Sequence, residues 1–204
     1  MLSGRIMSES SFNTVYLFYD FLEKYFIRDH KIALELIHNN LNLNKNLNVV
    51  DIGGGTGAIA KSIINEVNSV LIVDNSKQML KRLKNPIITS IQCDAFSLPI
   101  KDRVFDIALL INVLHHIKKV EQMNVLKEIF RILKNKGDAF IIDVYYPKTF
   151  INRIITKPEK ILVGRTYHIQ SKELISKLKD AGFKNFSFKF IDEHKWRYLI
   201  IAKK

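Results

Sequence analysis

The sequence predicts an α/β domain, doubly wound about a mostly parallel seven-stranded sheet that closes with an antiparallel hairpin. Three observations point to this architecture. From Val49 onward, short runs rich in Ile and Val alternate with segments of helical period. The first five such runs are nearly continuous in apolar residues, as strands buried on both faces are. The last two follow each other with no helical segment between them, which only a hairpin accommodates.

Taken in order, strands are expected at 47–52, 69–73, 87–92, 104–111, 138–145, 185–191 and 196–202. Helices are expected at 56–67, 76–84, 120–133 and 171–181. Ser76 and Ser171 are N-cap candidates because a short side-chain oxygen there can accept an unpaired N–H of the first turn. Gly137 and Gly182 follow lysine-bearing segments where a helix should stop.

Composition fits one globular domain: 204 residues, 47% apolar and 25% charged, with no repeat or low-complexity stretch. A single cysteine, Cys93, excludes an intramolecular disulfide, and no CxxC or HExxH spacing points to a metal. No apolar run reaches the ~18 residues of a membrane span or forms a signal-peptide core, so a cytoplasmic protein is expected. The net charge of +12 is uneven, with 11 basic and 10 acidic residues in 1–102 against 21 and 10 in 103–204. A basic half suits an anionic small molecule or nucleic acid, and equally reflects a composition rich in Lys, Ile and Asn.

Two regions stand outside the alternation. Residues 12–26 hold seven of the 21 aromatics, with Phe12, Tyr16, Tyr19 and Phe26 at helical spacings. Residues 147–170 form a long connection with five basic side chains among 148–165 against one acid, Glu159. The first (within a helical lid, 1–45) and the second are expected to cover a substrate pocket, with Tyr16, Tyr19, Tyr167 and His168 as candidate acceptor contacts.

The strongest local signal is Val49-Val50-Asp51-Ile52-Gly53-Gly54-Gly55-Thr56-Gly57, a buried strand entering a glycine turn and then a helix. Without side chains at Gly53, Gly55 and Gly57, a ligand can lie on the backbone and the chain can take positive φ. The same run satisfies the dinucleotide fingerprint GxGxxG/A, with Asp74 available for a ribose. The turn alone leaves both ligands open. Asp51 discriminates, since a diphosphate ~5–6 Å from its carboxylate is repelled by roughly 3 kcal/mol at an effective dielectric of ~20. A ligand carrying an ammonium and a sulfonium, such as S-adenosylmethionine, is attracted.

Five motifs in order then resemble the class I S-adenosylmethionine-dependent methyltransferases, particularly the small-molecule branch of ubiquinone/menaquinone-biosynthesis type. They are DIGGGTG at 51–57, VDNSKQML at 73–80, QCDAFSLP at 92–99, DIALLINVLHHI at 106–117 and LKNKGDAFIIDV at 133–144. The resemblance implies a Rossmann-like fold and S-adenosylmethionine as cofactor. It implies that Asp51, Gly53, Gly55 and Gly57 form the cofactor turn, and that Asp74 accepts from the ribose hydroxyls. Asn75 and Met79 would pack on the adenine, Asp94 and the amide of Ala95 would bond its edge, and Asn112 would meet the methionyl end.

His115 and His116, just past the fourth strand, are the candidates for removing a proton from the acceptor. Cys93, next to Asp94, is given no catalytic role. The expected activity is methyl transfer by direct displacement to a small, anionic or aromatic acceptor, without a metal. The alternatives are an RNA methyltransferase using the basic half, or a non-catalytic cofactor-binding module. Against RNA, residues 111–114 read INVL where an exocyclic-amine enzyme carries an NPPY-like motif.

Overall fold

A computed structural model describes residues 29–144, 166–193 and 195–204. Residues 29–40 are helical (α1). They are followed by β1 (Asn48–Ile52), α2 (Ala58–Ile63), β2 (Ser69–Asp74), α3 (Lys77–Lys81), β3 (Thr89–Gln92) and β4 (Phe105–Ile111). A 3₁₀ turn (Leu114–His116) leads to α4 (Lys119–Ile132), β5 (Leu133–Val144), α5 (Ser171–Asp180), β6 (Asn185–Phe190) and β7 (Arg197–Lys203).

All seven expected strands form one sheet in the order β3-β2-β1-β4-β5-β7-β6. The first five are mutually parallel, while β7 runs antiparallel to both β5 and β6. Strand alternation sends side chains to two separate cores. Val50, Ala108, Leu110, Ala139, Ile141 and Ile200 face α4 and α5, whereas Val49, Ile107, Leu109, Phe140 and Ile142 face α1 and α2. A bidentate pair from Arg197 to Asp29, at 2.7 and 2.8 Å, ties α1 to β7. No helix among the described residues is long and apolar enough to cross a membrane.

Several boundaries depart from expectation for identifiable reasons. α2 starts only after Gly57, whose φ of +76° is not helical. α3 is short because its last amides bond three residues back, Arg82 to Met79 and Leu83 to Leu80, in a tightening final turn. Ser76 caps α3 as expected, accepting from the Met79 N–H at 3.3 Å. Ser171, however, is the first helical residue of α5, and Gln170 precedes it without a side-chain cap.

Gly182 does end α5 in a positive-φ conformation. Gly137 does not end a helix, for α4 stops at Ile132 and Gly137 lies within β5. Here the side chain is missing because a Cβ would sit 3.0 Å from the carbonyl oxygens of Asp106 and Lys134. β3 is also not buried on both faces: it is an edge strand of the sheet, and three of its four residues are exposed.

Candidate functional site

Open parallel sheets bind ligands beyond the carboxyl ends of their strands, where the strand order reverses. In this sheet that place is the junction of β1 and β4, and the glycine turn leaves β1 there. Gly53, Gly55 and Gly57 have φ of +73°, +54° and +76°, a region where a Cβ is strained. Their surroundings differ. A methyl at Gly57 would come within 2.6 Å of Leu83 Cδ1 and 2.8 Å of Ile72 Cδ1, and one at Gly53 would run into the Val113 side chain. A methyl at Gly55 would meet nothing closer than 3.8 Å. Gly53 and Gly57 therefore allow the turn to pack, while Gly55 keeps one face of it open.

Asp74 closes the turn from the neighbouring strand. Its Oδ2 accepts the Gly55 N–H at 3.0 Å and its Oδ1 accepts the Ser76 N–H at 2.8 Å. Burial pushes this carboxyl above the usual range, and the Ser76 and Gly55 amides pull it partly back. Both oxygens keep a lone pair for further donors. A methyl on Gly55 would find Met79 Cε at 4.0 Å, so Met79, buried on α3, flanks the same open face. Asn75 follows Asp74 and accepts the Gln92 side-chain amide on its carbonyl at 3.1 Å.

Because Asp74 pairs with Gln92 in the β2–β3 register, Asp94 and Ala95 continue past the same edge. Asp94 is exposed and its carbonyl accepts the Ser97 N–H. The Cys93 thiol is pushed up to about 11 by burial and by the carboxylates of Asp94, Asp74 and Glu128. At neutral pH it is a thiol and a poor nucleophile.

Asp51 is buried, and its Oδ2 has no hydrogen-bond partner among the described residues. Burial, aided by the Asp74 charge, raises its pKa to about 7. A side chain on Gly54 would lie 2.5 Å from that same oxygen, so Gly54 is needed for Asp51 to sit here. On the next strand, Asn112 takes φ of +57°, donates its N–H to the Ile142 carbonyl at 2.8 Å, and holds a buried, equally partnerless Oδ1. The junction thus presents two buried oxygens with no partner among the described residues, where buried oxygens are ordinarily hydrogen-bonded.

A second cluster forms one strand further along. The 3₁₀ turn carries His115 back over the end of β5, where its Nδ1 makes a short hydrogen bond to Asp143 Oδ1 and its backbone N–H donates to Oδ2 at 3.1 Å. Oδ1 also accepts the Val144 N–H at 2.6 Å. The His115 ring lies 3.9 Å from that of His116 and is stacked on that of His168 at 5.7 Å. Burial, with the positive forms of His115 and His168 nearby, lowers the His116 pKa well below its ordinary value, so this imidazole stays neutral.

Gln122, fully buried on α4, donates from one amide nitrogen towards the carbonyls of Leu114, Ile117 and Tyr167 at 2.9–3.2 Å. The Tyr167 N–H in turn bonds the His115 carbonyl at 2.6 Å. Tyr198, opposite Asp143 in the β5–β7 register, is buried, and burial plus the Asp143 charge keeps its phenol protonated.

The structure therefore joins Gly55, Asp74 and Met79 into one face and His115, His116 and His168 into another. Tyr16 and Tyr19, the 12–26 aromatic segment and most of the 147–170 connection lie outside the described residues. Asp143 and Gln122 are not singled out by the sequence, because a polar residue closing a strand or helix carries no local mark of its partner. A shallow cavity of about 530 Å³ lined by Phe96, Leu98, Ile100, Glu128 and Arg131 lies behind the Asp94 loop and includes neither cluster. Among the described residues no group of three or more His, Cys, Asp or Glu side chains is arranged to hold a metal ion.

Comparisons with known proteins bear on the domain and the fold. Residues 50–141 match the family model described as "Methyltransferase domain". An uncharacterised protein of Methanocaldococcus jannaschii is 31% identical over 173 residues, 80% of this chain and 78% of its own length. The chloroplastic 2-methyl-6-phytyl-1,4-hydroquinone methyltransferase of Spinacia oleracea is 29% identical over 171 residues, 81% of this chain. The chain spans 46% of that enzyme, about half the length of several relatives it matches. A SAM-dependent methyltransferase from Archaeoglobus fulgidus shares the fold, with a TM-score of 0.73 at 17% identity over 92% of this chain and 100% of its own. Residues 50–141 are a methyltransferase domain, and the chain has the class I fold of S-adenosylmethionine-dependent methyltransferases.

Proposed function

We propose that the protein binds S-adenosylmethionine along the edge from β3 to β4 and supports transfer of its methyl group to a small acceptor presented near β5. The observation that carries this reading is the pair of buried oxygens, Asp51 Oδ2 and Asn112 Oδ1, without a partner among the described residues on either side of the strand junction. An ammonium group satisfies such oxygens, whereas a diphosphate would be repelled by the Asp51 carboxylate. Strand order supports the rest. Asp94 and Ala95 beyond β3 would hold the adenine edge, Asn75 and Met79 its face, Asp74 the ribose hydroxyls, and Gly53, Gly55 and Gly57 the backbone approach, with Asp51 and Asn112 at the methionyl end.

The cofactor supplies an already activated methyl on a positively charged sulfur. The chain's work is to orient an acceptor in line with it, exclude water and take up any proton the acceptor must lose. Orientation alone contributes roughly 7–11 kcal/mol in well-aligned reactions. His115 and His116 are the candidates for the proton, with Tyr167 and His168 beside them and Tyr16 and Tyr19 as further acceptor contacts.

The hydroquinone named for the plant relative supports a small aromatic acceptor, while the net charge of +12 supports RNA as a second reading. Incubation with methyl-labelled S-adenosylmethionine and either a small-molecule panel or total RNA separates them. Label in small molecules, unaffected by moderate salt, is expected. Label in RNA that disappears steeply with salt would favour the second reading. Cofactor binding with no transfer to either would leave a binding module.

A further inference from the structure

We propose that Gln122 is a positioning residue that fastens the 3₁₀ turn after β4, which borders the glycine turn, to residues 166–170, so that a cofactor held at the first also orders the second. This rests on the cofactor reading above and adds a physical link between the two sides of the site.

Gln122 lies in the first turn of α4 and is fully buried, where an amide is costly unless its hydrogens are taken up. Its nitrogen carries two hydrogens and faces three carbonyl oxygens. Those of Leu114 and Ile117, at 3.2 and 3.1 Å, belong to the two ends of the 3₁₀ turn. The third, of Tyr167, is at 2.9 Å and 45 residues away in sequence. Turning the amide over would set its oxygen against three other acceptors, so the orientation is fixed. A residue serving only the entry to its own helix has no need of a carbonyl so distant in the chain.

Each end of the link continues into the site. On the cofactor side, the Val113 side chain fills the space beside Gly53, and the Asn112 N–H bonds the Ile142 carbonyl at 2.8 Å. On the other side, the Tyr167 N–H donates to the His115 carbonyl at 2.6 Å, so Tyr167 is held through both its backbone groups. Ile169 is buried in the same core as Leu126 and Leu174. By contrast, the exposed Lys119–Glu173 pair at 3.1 Å, which also joins α4 to α5, is screened by water.

Segments joined through a buried donor are ordered together, and a ligand that restrains one lowers the cost of ordering the other. Movement of the 3₁₀ turn away from the glycine turn would withdraw the same amide from Tyr167.

Amide hydrogen exchange on the full chain, read by mass spectrometry with and without S-adenosylhomocysteine, tests this. In the wild type the ligand should slow exchange in peptides covering 112–117 and also in those covering 166–170, by about fivefold or more. Slowing confined to 112–117 would overturn the link. In Gln122→Met, which keeps the length of the side chain without the donor, slowing at 112–117 should remain and that at 166–170 should vanish. A purely structural role would speed exchange with and without ligand and leave the ligand's increment in place, so an increment retained at 166–170 would overturn the proposal. Gln122→Asn, whose shorter amide does not span both segments, should behave in the same way and serves if Gln122→Met does not fold. Lys119→Met should keep both increments, and loss of the one at 166–170 there too would overturn the assignment to Gln122. Failure of S-adenosylhomocysteine to bind the wild type in calorimetry would overturn the cofactor reading along with the link, whereas binding without transmitted slowing overturns the link alone.

Discussion

The carboxylate of Asp74 accepts the backbone N–H of Gly55 at 3.0 Å across 19 residues of sequence. The residue expected to hold the ribose is thus also the clasp of the glycine turn, so cofactor affinity and turn conformation are coupled.

Asp74→Ala removes both the ribose acceptor and the anchors of Gly55 and Ser76. Hydrogen bonds to a charged group contribute about 1.5–3 kcal/mol each. Losing one to the ligand should raise the dissociation constant for S-adenosylhomocysteine roughly 10- to 100-fold by titration calorimetry. Far-ultraviolet circular dichroism should be unchanged.

Gly55→Ala and Gly57→Ala should separate binding from stability. Both residues have positive φ, but only at Gly57 does a methyl meet Ile72 and Leu83. Gly57→Ala is expected to cost about 1–3 kcal/mol, a fall in Tm of several degrees at roughly 2–4 °C per kcal/mol. Gly55→Ala should lose less stability and more cofactor affinity. Equal Tm losses in the two variants would contradict the assignment of Gly55 to the open face.

Asp51 makes stability and binding depend on pH with a definite sign. Its folded pKa of about 7 lies above its ordinary value of 3.8, so the native state binds the extra proton between those limits. Stability from this group is complete below about pH 4 and is lost as pH rises to about 7. Asp51→Asn should flatten that part of the denaturant-measured profile. An ammonium ligand favours ionised Asp51, so binding near neutrality should release a proton, seen as a buffer-dependent calorimetric enthalpy.

Arg131 braces the Asp94 loop. It donates to the carbonyls of Leu98 and Ile100 at 3.0 and 2.6 Å and to Glu128 and Asp102, while Glu128 accepts the Leu98 N–H at 2.7 Å. The Arg131 bonds hold the Glu128 carboxyl below its usual range. Arg131→Met is expected to lose about 1–3 kcal/mol in urea unfolding, most of it from the backbone carbonyls, since the exposed Asp102 pair contributes little. It should weaken cofactor binding only modestly.

Much of the fold is legible in the sequence because its signals are local. Val49–Ile52 and Phe105–Ile111 stand out as apolar runs at strand length, and the glycines of 53–57 announce a turn in a conformation that glycine adopts most readily. Asp74 is visible as a charge closing an apolar strand. The Asp143–His115 pair is not, since the two lie 28 residues apart and meet only through the β4–β5 register and the 3₁₀ turn. Gly137 deceives for a similar reason: a glycine after lysines resembles a helix stop, and only the approach of Asp106 shows why it is needed.

Everything assigned to the second substrate depends on the glycine turn receiving a cationic sulfur nucleoside. Parallel calorimetric titrations of the full chain with S-adenosylmethionine and with NAD decide the matter. Saturable one-to-one binding of S-adenosylmethionine, weakened by Asp51→Asn, is expected, with no heat from NAD. Tight NAD binding with none for S-adenosylmethionine would refute the assignment.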